Sequence, residues 1–170
     1  MKIVSGGQTG IDRAALEAAV AHGLSVGGWV PHGGWAEDRP VPPGICADYP
    51  SLKPTPSADP AERTEWNVRD SDRTLILVTA AGLAASPGTA VTAAFAGRYD
   101  RPCLVVDIGQ PDAADRIARW LAEAGPETVL NIAGPRESEA PGIHAAAAAL
   151  LRDALPAWRR LLAVSRDAIR

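Results

Sequence analysis

Ile3-Val4-Ser5-Gly6-Gly7-Gln8-Thr9-Gly10-Ile11-Asp12 carries the chain from an apolar strand end to a helix start through a turn in which three of six residues are glycine. Glycine lets the backbone curl and approach a ligand closely, and the first turn of the following helix presents N–H groups that have no partner within it. A second turn repeats the pattern. Ser86-Pro87-Gly88-Thr89 follows the apolar run 74–78 and precedes the small-residue segment 90–98. Two such turns at strand tips of one parallel sheet predict a single pocket for a phosphate-bearing ligand.

Around these turns, strand and helix signals alternate along the chain. Residues 2–5 read as a strand, 12–22 as a helix closed by Gly23, and 25–30 as a second strand. Segment 31–60 is irregular and holds eight of the fifteen prolines. Then follow a helix over 61–71, a strand over 73–79, a helix over 90–98, a strand over 102–108, a helix over 112–124 and a strand over 128–133. An alanine-rich helix begins at Gly142, and Pro156 is expected to break or kink it, leaving 157–169 as a further helical piece. Short apolar strands with little polar alternation belong in a parallel sheet covered on both faces. The expected fold is therefore α/β, a Rossmann-like three-layer sandwich with a mostly parallel sheet of about five strands. At 170 residues the chain is long enough for one domain with its own core. That domain is expected over 1–170, with the core in 2–155 and a helical extension over 156–170.

Segment 31–60 is too long for a casual connection, and long ordered loops tend to be functional or to cover something. Its prolines lower the entropy cost of ordering it. A stiff flap carrying Trp35 over the pocket and a proline-rich surface excursion both fit.

Composition excludes several function classes. The 46% apolar and 22% charged residues are ordinary for a globular protein, and a net charge of −3 supplies no basic face for nucleic acid. No apolar run approaches the roughly 20 residues that span a bilayer, and the N-terminus has no signal-peptide pattern. A cytoplasmic location with no membrane partner is the expectation. Two cysteines make no disulfide framework, and Cys103, in a strand expected to be buried, should pack as a small apolar residue. His22, His32 and His144 are scattered and no Cys/His pair has zinc-ligand spacing, so no protein-ligated metal is expected. No G-x-S-x-G elbow is present, and the first turn has neither the dinucleotide fingerprint nor the lysine of a P-loop.

Ligands of a parallel open sheet gather beyond the carboxyl ends of its strands. Three segments should meet there: Gly6, Gly7, Gln8, Thr9 and Gly10 with Asp12; Gly88 with Thr89; and the stretch from Asn131 to Ser138 that contains Arg136. Arg63, Asn67 and Asp70 recur at helical spacing and share one polar face, which suits either the ligand or solvent. Arg136 has the bidentate geometry that phosphate favours, with an ion pair to Glu137 or Glu139 as the alternative.

Five segments closely resemble the putative molybdenum carrier family: Gly6-Gly7-Gln8-Thr9-Gly10-Ile11-Asp12-Arg13; Ala36-Glu37-Asp38; Glu62-Arg63-Thr64-Glu65-Trp66-Asn67 with Asp70-Ser71-Asp72; Gly88-Thr89-Ala90; and Asn131-Ile132-Ala133-Gly134-Pro135-Arg136-Glu137-Ser138. The likeness runs from Lys2 to about Leu155. That family is similar to circularly permuted YpsA proteins of the SLOG superfamily of Rossmann-like nucleotide-binding folds. The resemblance implies a carrier of molybdenum cofactor, a pterin bearing a phosphate, or of a related nucleotide. The same superfamily contains the Lonely Guy enzymes, which cleave the N-glycosidic bond of nucleoside monophosphates. Their G-T-x-x-E motif ends in a glutamate where this chain has Thr92, so the expected carboxylate is missing from that slot.

The sequence thus predicts a binding protein for a phosphorylated nucleotide- or pterin-like ligand held at Gly6, Gly7, Gln8, Thr9, Gly10, Asp12, Arg63, Asn67, Gly88, Thr89 and Arg136. The alternative is a nucleotide-processing hydrolase of phosphoribohydrolase type, with Asp12, Glu65, Asp70 or Glu137 as acid or base. The alanine-rich helix and Trp158, expected to be exposed, suggest a homo-oligomer, dimer or tetramer, although packing within one chain explains the same alanines.

Overall fold

The structure is a computed structural model and describes residues 1–167. β1 (Lys2–Val4) leads through the first glycine turn into α1 (Ile11–Ala21), and β2 (Ser25–Val30) follows. Beyond two short 3-10 turns come β3 (Leu52–Pro54), α2 (Pro60–Arg69) and β4 (Arg73–Val78). α3 (Pro87–Arg98), β5 (Cys103–Asp107), α4 (Ala113–Ala122), β6 (Val129–Ala133) and α5 (Ile143–Asp167) complete the order. All strand pairs are parallel, in the spatial order β3-β2-β1-β6-β4-β5. The fold is Rossmann-like α/β. Its sheet has six strands where about five were expected, because the proline-rich segment contributes β3. A three-residue strand ending in Pro54 gives little period-two signal, and proline is tolerated there because the strand lies at the sheet edge.

Strand alternation sorts the core. Leu75 and Leu77 of β4 join Ile3, Leu130 and Ile132 against a layer made of α1, α4 and α5, while Ile76 points to the opposite face, where α2 packs on α3. A second, smaller core of Leu16, Val30, Ala36, Ile45 and Leu52 anchors the proline-rich segment to α1 and β2. Ala36 and Ile45 are fully buried, so this segment is a packed layer.

Three expectations need correction. α5 runs unbroken through Pro156, although the missing N–H leaves the carbonyl of Arg152 without its helical partner. Burial of Ala154, Leu155 and Trp158 on both sides of the proline holds the helix together. Ile169 lies outside the described residues. Trp158 is itself 3% exposed, and the alanines of α5 seat it on α4 and α1 of the same chain. Cys103 is exposed, because β5 forms the free edge of the sheet. Among the described residues no helix is long and apolar enough to cross a membrane.

Candidate functional site

β1 feeds α1 on one face of the sheet and β4 feeds α3 on the other, with β6 between the two strands. Chains leaving in opposite directions open a crevice at the carboxyl edge of such a sheet. A cavity of about 260 Å³ lies there. Gln8 and Asp12 reach it from beyond β1, Gly134 and Arg136 from beyond β6, and Ser86, Gly88 and Thr89 from beyond β4. Arg63 and Thr64 of α2 close one side, and Thr92 of α3 faces in as well.

Asp12 is the innermost charge, with 2% of its surface exposed. Its Oδ2 accepts the Gln8 N–H at 3.3 Å and the Arg63 Nη1 at 3.2 Å. Burial pushes its carboxyl above the usual aspartate range, and the Arg63 charge pulls the other way. Arg63 lies across Gly6: a Cβ there would sit 1.6 Å from Nη1, so any larger residue would push the arginine aside. Arg63 Nε is buried and has no hydrogen-bond partner among the described residues.

The first turn is tied to its surroundings through polar side chains. Gln8 Oε1 accepts the N–H of Thr9 at 3.2 Å and the N–H of Glu37 at 2.8 Å. The Thr9 hydroxyl donates to Glu37 Oε1 and accepts the Glu137 N–H at 3.2 Å. The Ser138 hydroxyl donates to Glu37 Oε2 at 2.7 Å. Burial alone would raise the Glu37 carboxyl, but hydrogen bonds from Ser138 and Thr9 outweigh it and hold the group below its ordinary range. Arg13 clamps Asp38 through two bonds of 3.0 and 3.1 Å. Glu37 and Ser138 carry this stitching, although only their presence in the quoted motifs marked them in the sequence.

Gly10 caps α1 with φ 71°, and a Cβ there would stand 2.4 Å from the Pro135 carbonyl oxygen. Only glycine combines that left-handed backbone with so close an approach. The Ile11 N–H donates to the same Pro135 oxygen at 3.2 Å, so the first helix and the loop after β6 share a seam.

The second turn differs from its expected form. α3 begins at Pro87, three residues earlier than the sequence suggested, so Gly88 and Thr89 belong to its first turn. Proline is well suited to that first position because its missing N–H would have no helical partner. The Thr89 N–H is already taken by the Ser86 carbonyl at 3.0 Å, whereas the Gly88 N–H makes no hydrogen bond among the described residues. A relay runs from the Thr89 hydroxyl to the Ser86 hydroxyl at 2.8 Å and on to Glu139 Oε2 at 3.0 Å. The Arg136 N–H also donates to Glu139 Oε2, at 3.0 Å. The Arg136 guanidinium pairs with neither Glu137 nor Glu139 among the described residues, and its one ring contact is with Trp35 at 5.8 Å.

Of the residues singled out from the sequence, Gln8, Asp12, Arg63, Gly88, Thr89 and Arg136 line the cavity. Gly6 lies under Arg63, Gly7 backs onto Ile45 and Val30, and Thr9 and Gly10 serve the seam. Asn67 turns to β2, donating to the Trp29 carbonyl and accepting the Trp29 N–H, both at 2.8 Å. Asp70 pairs with Arg69 and accepts the Trp29 indole N–H. Glu65 accepts the Tyr99 hydroxyl proton and pairs with Arg98. Glu137 caps α5 by accepting the N–H groups of Gly142 and His144. Among the described residues no three His, Cys, Asp or Glu side chains gather into a metal-holding group.

No curated protein matches the chain. A crystal structure described as a putative molybdenum carrier protein from Syntrophus aciditrophicus SB is similar to it, with 41% sequence identity and a TM-score of 0.73. That likeness covers 91% of this chain and 94% of the other. The profile of the Circularly permutated YpsA SLOG family matches residues 3–155, and the chain belongs to that family.

Proposed function

We propose that this protein binds and carries a phosphorylated pterin- or nucleotide-like ligand, with molybdenum cofactor as the leading candidate. The observation that supports this reading best is the Arg136 guanidinium, which makes no hydrogen bond or ion pair among the described residues beyond a longer-range attraction to Glu37, facing the same cavity as Arg63 and as the Gly88 N–H that has no partner among those residues. An arginine fork, a helical N–H and the positive end of α3 suit a phosphate. The main-chain cradle is smaller than the sequence suggested. The N–H groups of Gln8, Thr9 and Thr89 are engaged internally, which shifts the work of anion binding onto the two arginines. In this reading any molybdenum would arrive as part of the ligand.

Native mass spectrometry of freshly purified protein, followed by calorimetry with inorganic phosphate and GMP, tests the proposal. A retained phosphorylated pterin or nucleotide is the expected mass, and Arg136→Ala should weaken phosphate binding at least tenfold. Equal phosphate affinity in wild type, Arg136→Ala and Arg63→Ala would remove the reading.

One observation favours a hydrolase as the second reading. Asp12 lines the cavity and has a raised carboxyl pKa, which is the setting of many acid–base residues. Against it, the slot of the Lonely Guy glutamate is filled by Thr92, whose hydroxyl donates to the Gly88 carbonyl at 3.1 Å. Release of free base from nucleoside monophosphates, lost in Asp12→Asn, would establish the hydrolase.

A further inference from the structure

We infer that the anion cavity is half of a two-part site, and that the adjoining cleft against Trp35 receives the planar heteroaromatic ring of the same ligand. This inference rests on the anion-binding reading above and adds the place and the residue that receive the ligand's ring, a contact that a bare oxyanion such as molybdate could not make.

The cleft holds about 420 Å³ and is walled by Trp35, His32, Pro40, Pro42 and Pro60. Two features join it to the anion cavity. Pro60 lines both spaces, and Arg136, which lines the first, lies 5.8 Å from the Trp35 ring in the second. A ligand whose charged end meets Arg136 therefore has an aromatic surface within one guanidinium of it.

The platform is also held in place before any ligand arrives. Trp35 precedes the fully buried Ala36, which is bridged in both directions to Arg39 and followed by the Glu37 anchor to Thr9 and Ser138. Pro60 forms the first residue of α2, beside the anchored Thr64. Rigid aromatic and proline walls lose little entropy on binding, so stacking on them adds affinity directly. The indole of Trp35 is half-buried and donates no hydrogen bond among the described residues, so core packing leaves its polar edge unused. His32 is exposed at the rim and offers a polar group to the ring edge. An aromatic face is tolerant of ring identity, which suits purines and pterins alike.

Isothermal calorimetry with inorganic phosphate, molybdate and GMP on wild type, Trp35→Phe and Trp35→Leu tests this. GMP should bind wild type at least tenfold more tightly than phosphate. Trp35→Leu should lose most of that margin, roughly five- to a hundredfold, while phosphate affinity stays put and Trp35→Phe keeps most of it. Phosphate binding with GMP no tighter, or GMP binding indifferent to Trp35→Leu, overturns the ring site and leaves the anion reading standing. Trp35→Leu weakening phosphate and GMP equally also overturns it, since the residue would then act through Arg136 alone. Binding of neither probe to wild type overturns both readings, and molybdate binding as tightly as GMP overturns the choice of ligand class.

Discussion

Arg63 Nη1 stands 3.2 Å from Asp12 Oδ2, and the guanidinium that makes this contact occupies the space a side chain at Gly6 would need. Both groups are largely out of water, with side-chain exposures of 14% and 3%. A buried carboxylate stripped of its partner is costly, whereas the intact pair gains little over an apolar substitute. The pair therefore fits a site that needs a cation held ready better than it fits a stability device.

Removing the cation should be felt most where Asp12 is charged. Asp12 titrates above the ordinary aspartate value of 3.8 when folded, so it adds stability below that pH and loses the contribution as pH rises through its folded pKa. Arg63→Met takes away the attraction that offsets burial, raises the folded pKa further and deepens that loss. Urea unfolding should show a cost of about 3 kcal/mol at pH 7 and a clearly smaller one near pH 4. Adding Asp12→Asn to Arg63→Met should recover most of the neutral-pH loss. A cost that is the same at both pH values would mean that Arg63 acts through packing alone.

Asp12 also competes with any incoming anion for Arg63. Asp12→Asn alone should bind phosphate several-fold more tightly than wild type, because it removes a buried negative charge and frees the guanidinium. Calorimetry with phosphate reads this directly, and weaker binding would make Asp12 a ligand-holding group.

Gly6→Ala tests the same geometry from the backbone side. The new Cβ would lie 2.4 Å from Arg63 Cζ and 2.8 Å from Asp12 Oδ2, so the flexible arginine must swing away. Phosphate affinity should fall about tenfold, close to 1.4 kcal/mol, with only a modest drop in Tm. Unchanged affinity would take Arg63 out of the site.

Alternation of apolar strands and helices was enough to read the Rossmann-like class, because β1, β2, β4, β5 and β6 are short, mostly apolar stretches, such as residues 75–78, separated by helix signals. β3 was hidden because three residues among prolines carry no period, and its pairing with Gly28–Val30 is settled by tertiary packing through Leu52. The two glycine turns were legible because strand-end glycines are local signals. Their internal hydrogen bonds were not, since Asp12 reaching back to Gln8 and Ser86 accepting from Thr89 depend on side-chain and turn geometry. The polar face Arg63–Asn67–Asp70 shows the same limit. Helical spacing put the three on one side of α2, but Arg63 reaches the cavity, Asn67 the β2 backbone and Asp70 the Trp29 indole.

Glu37 ties segment 31–60 to both neighbouring loops. Its carboxyl is held below the ordinary glutamate value of 4.5, so the tie is present above that pH and is lost as pH falls through the folded pKa. Hydrogen exchange across 31–60 should quicken in wild type as the solution is acidified from neutral to well below the ordinary glutamate value of 4.5, after correction for intrinsic rates. Glu37→Gln should show the faster exchange already at pH 7 and lose about 1–2 kcal/mol of stability, since a hydrogen-bonded carboxylate is replaced by a weaker acceptor. Protection that is equal in the two proteins at pH 7 would show that Ala36 and Ile45 hold the segment without help.

Pro156 sits inside α5 between Leu155 and Ala157, in a stretch whose neighbours Ala154, Leu155 and Trp158 are buried against α4 and α1. Proline in a helix interior costs up to about 3 kcal/mol relative to alanine, through the lost N–H donor and the clash with the preceding turn. Part of that is offset because proline also restricts the unfolded chain. Pro156→Ala restores a donor for the Arg152 carbonyl and should stabilise the protein by about 1–2 kcal/mol. For a chain of 170 residues, that is a Tm rise of roughly 2–8 °C in a reversible scan. A fall in Tm would mean that the pyrrolidine ring is itself a packing element, placed where α5 must bend to keep Trp158 in the core.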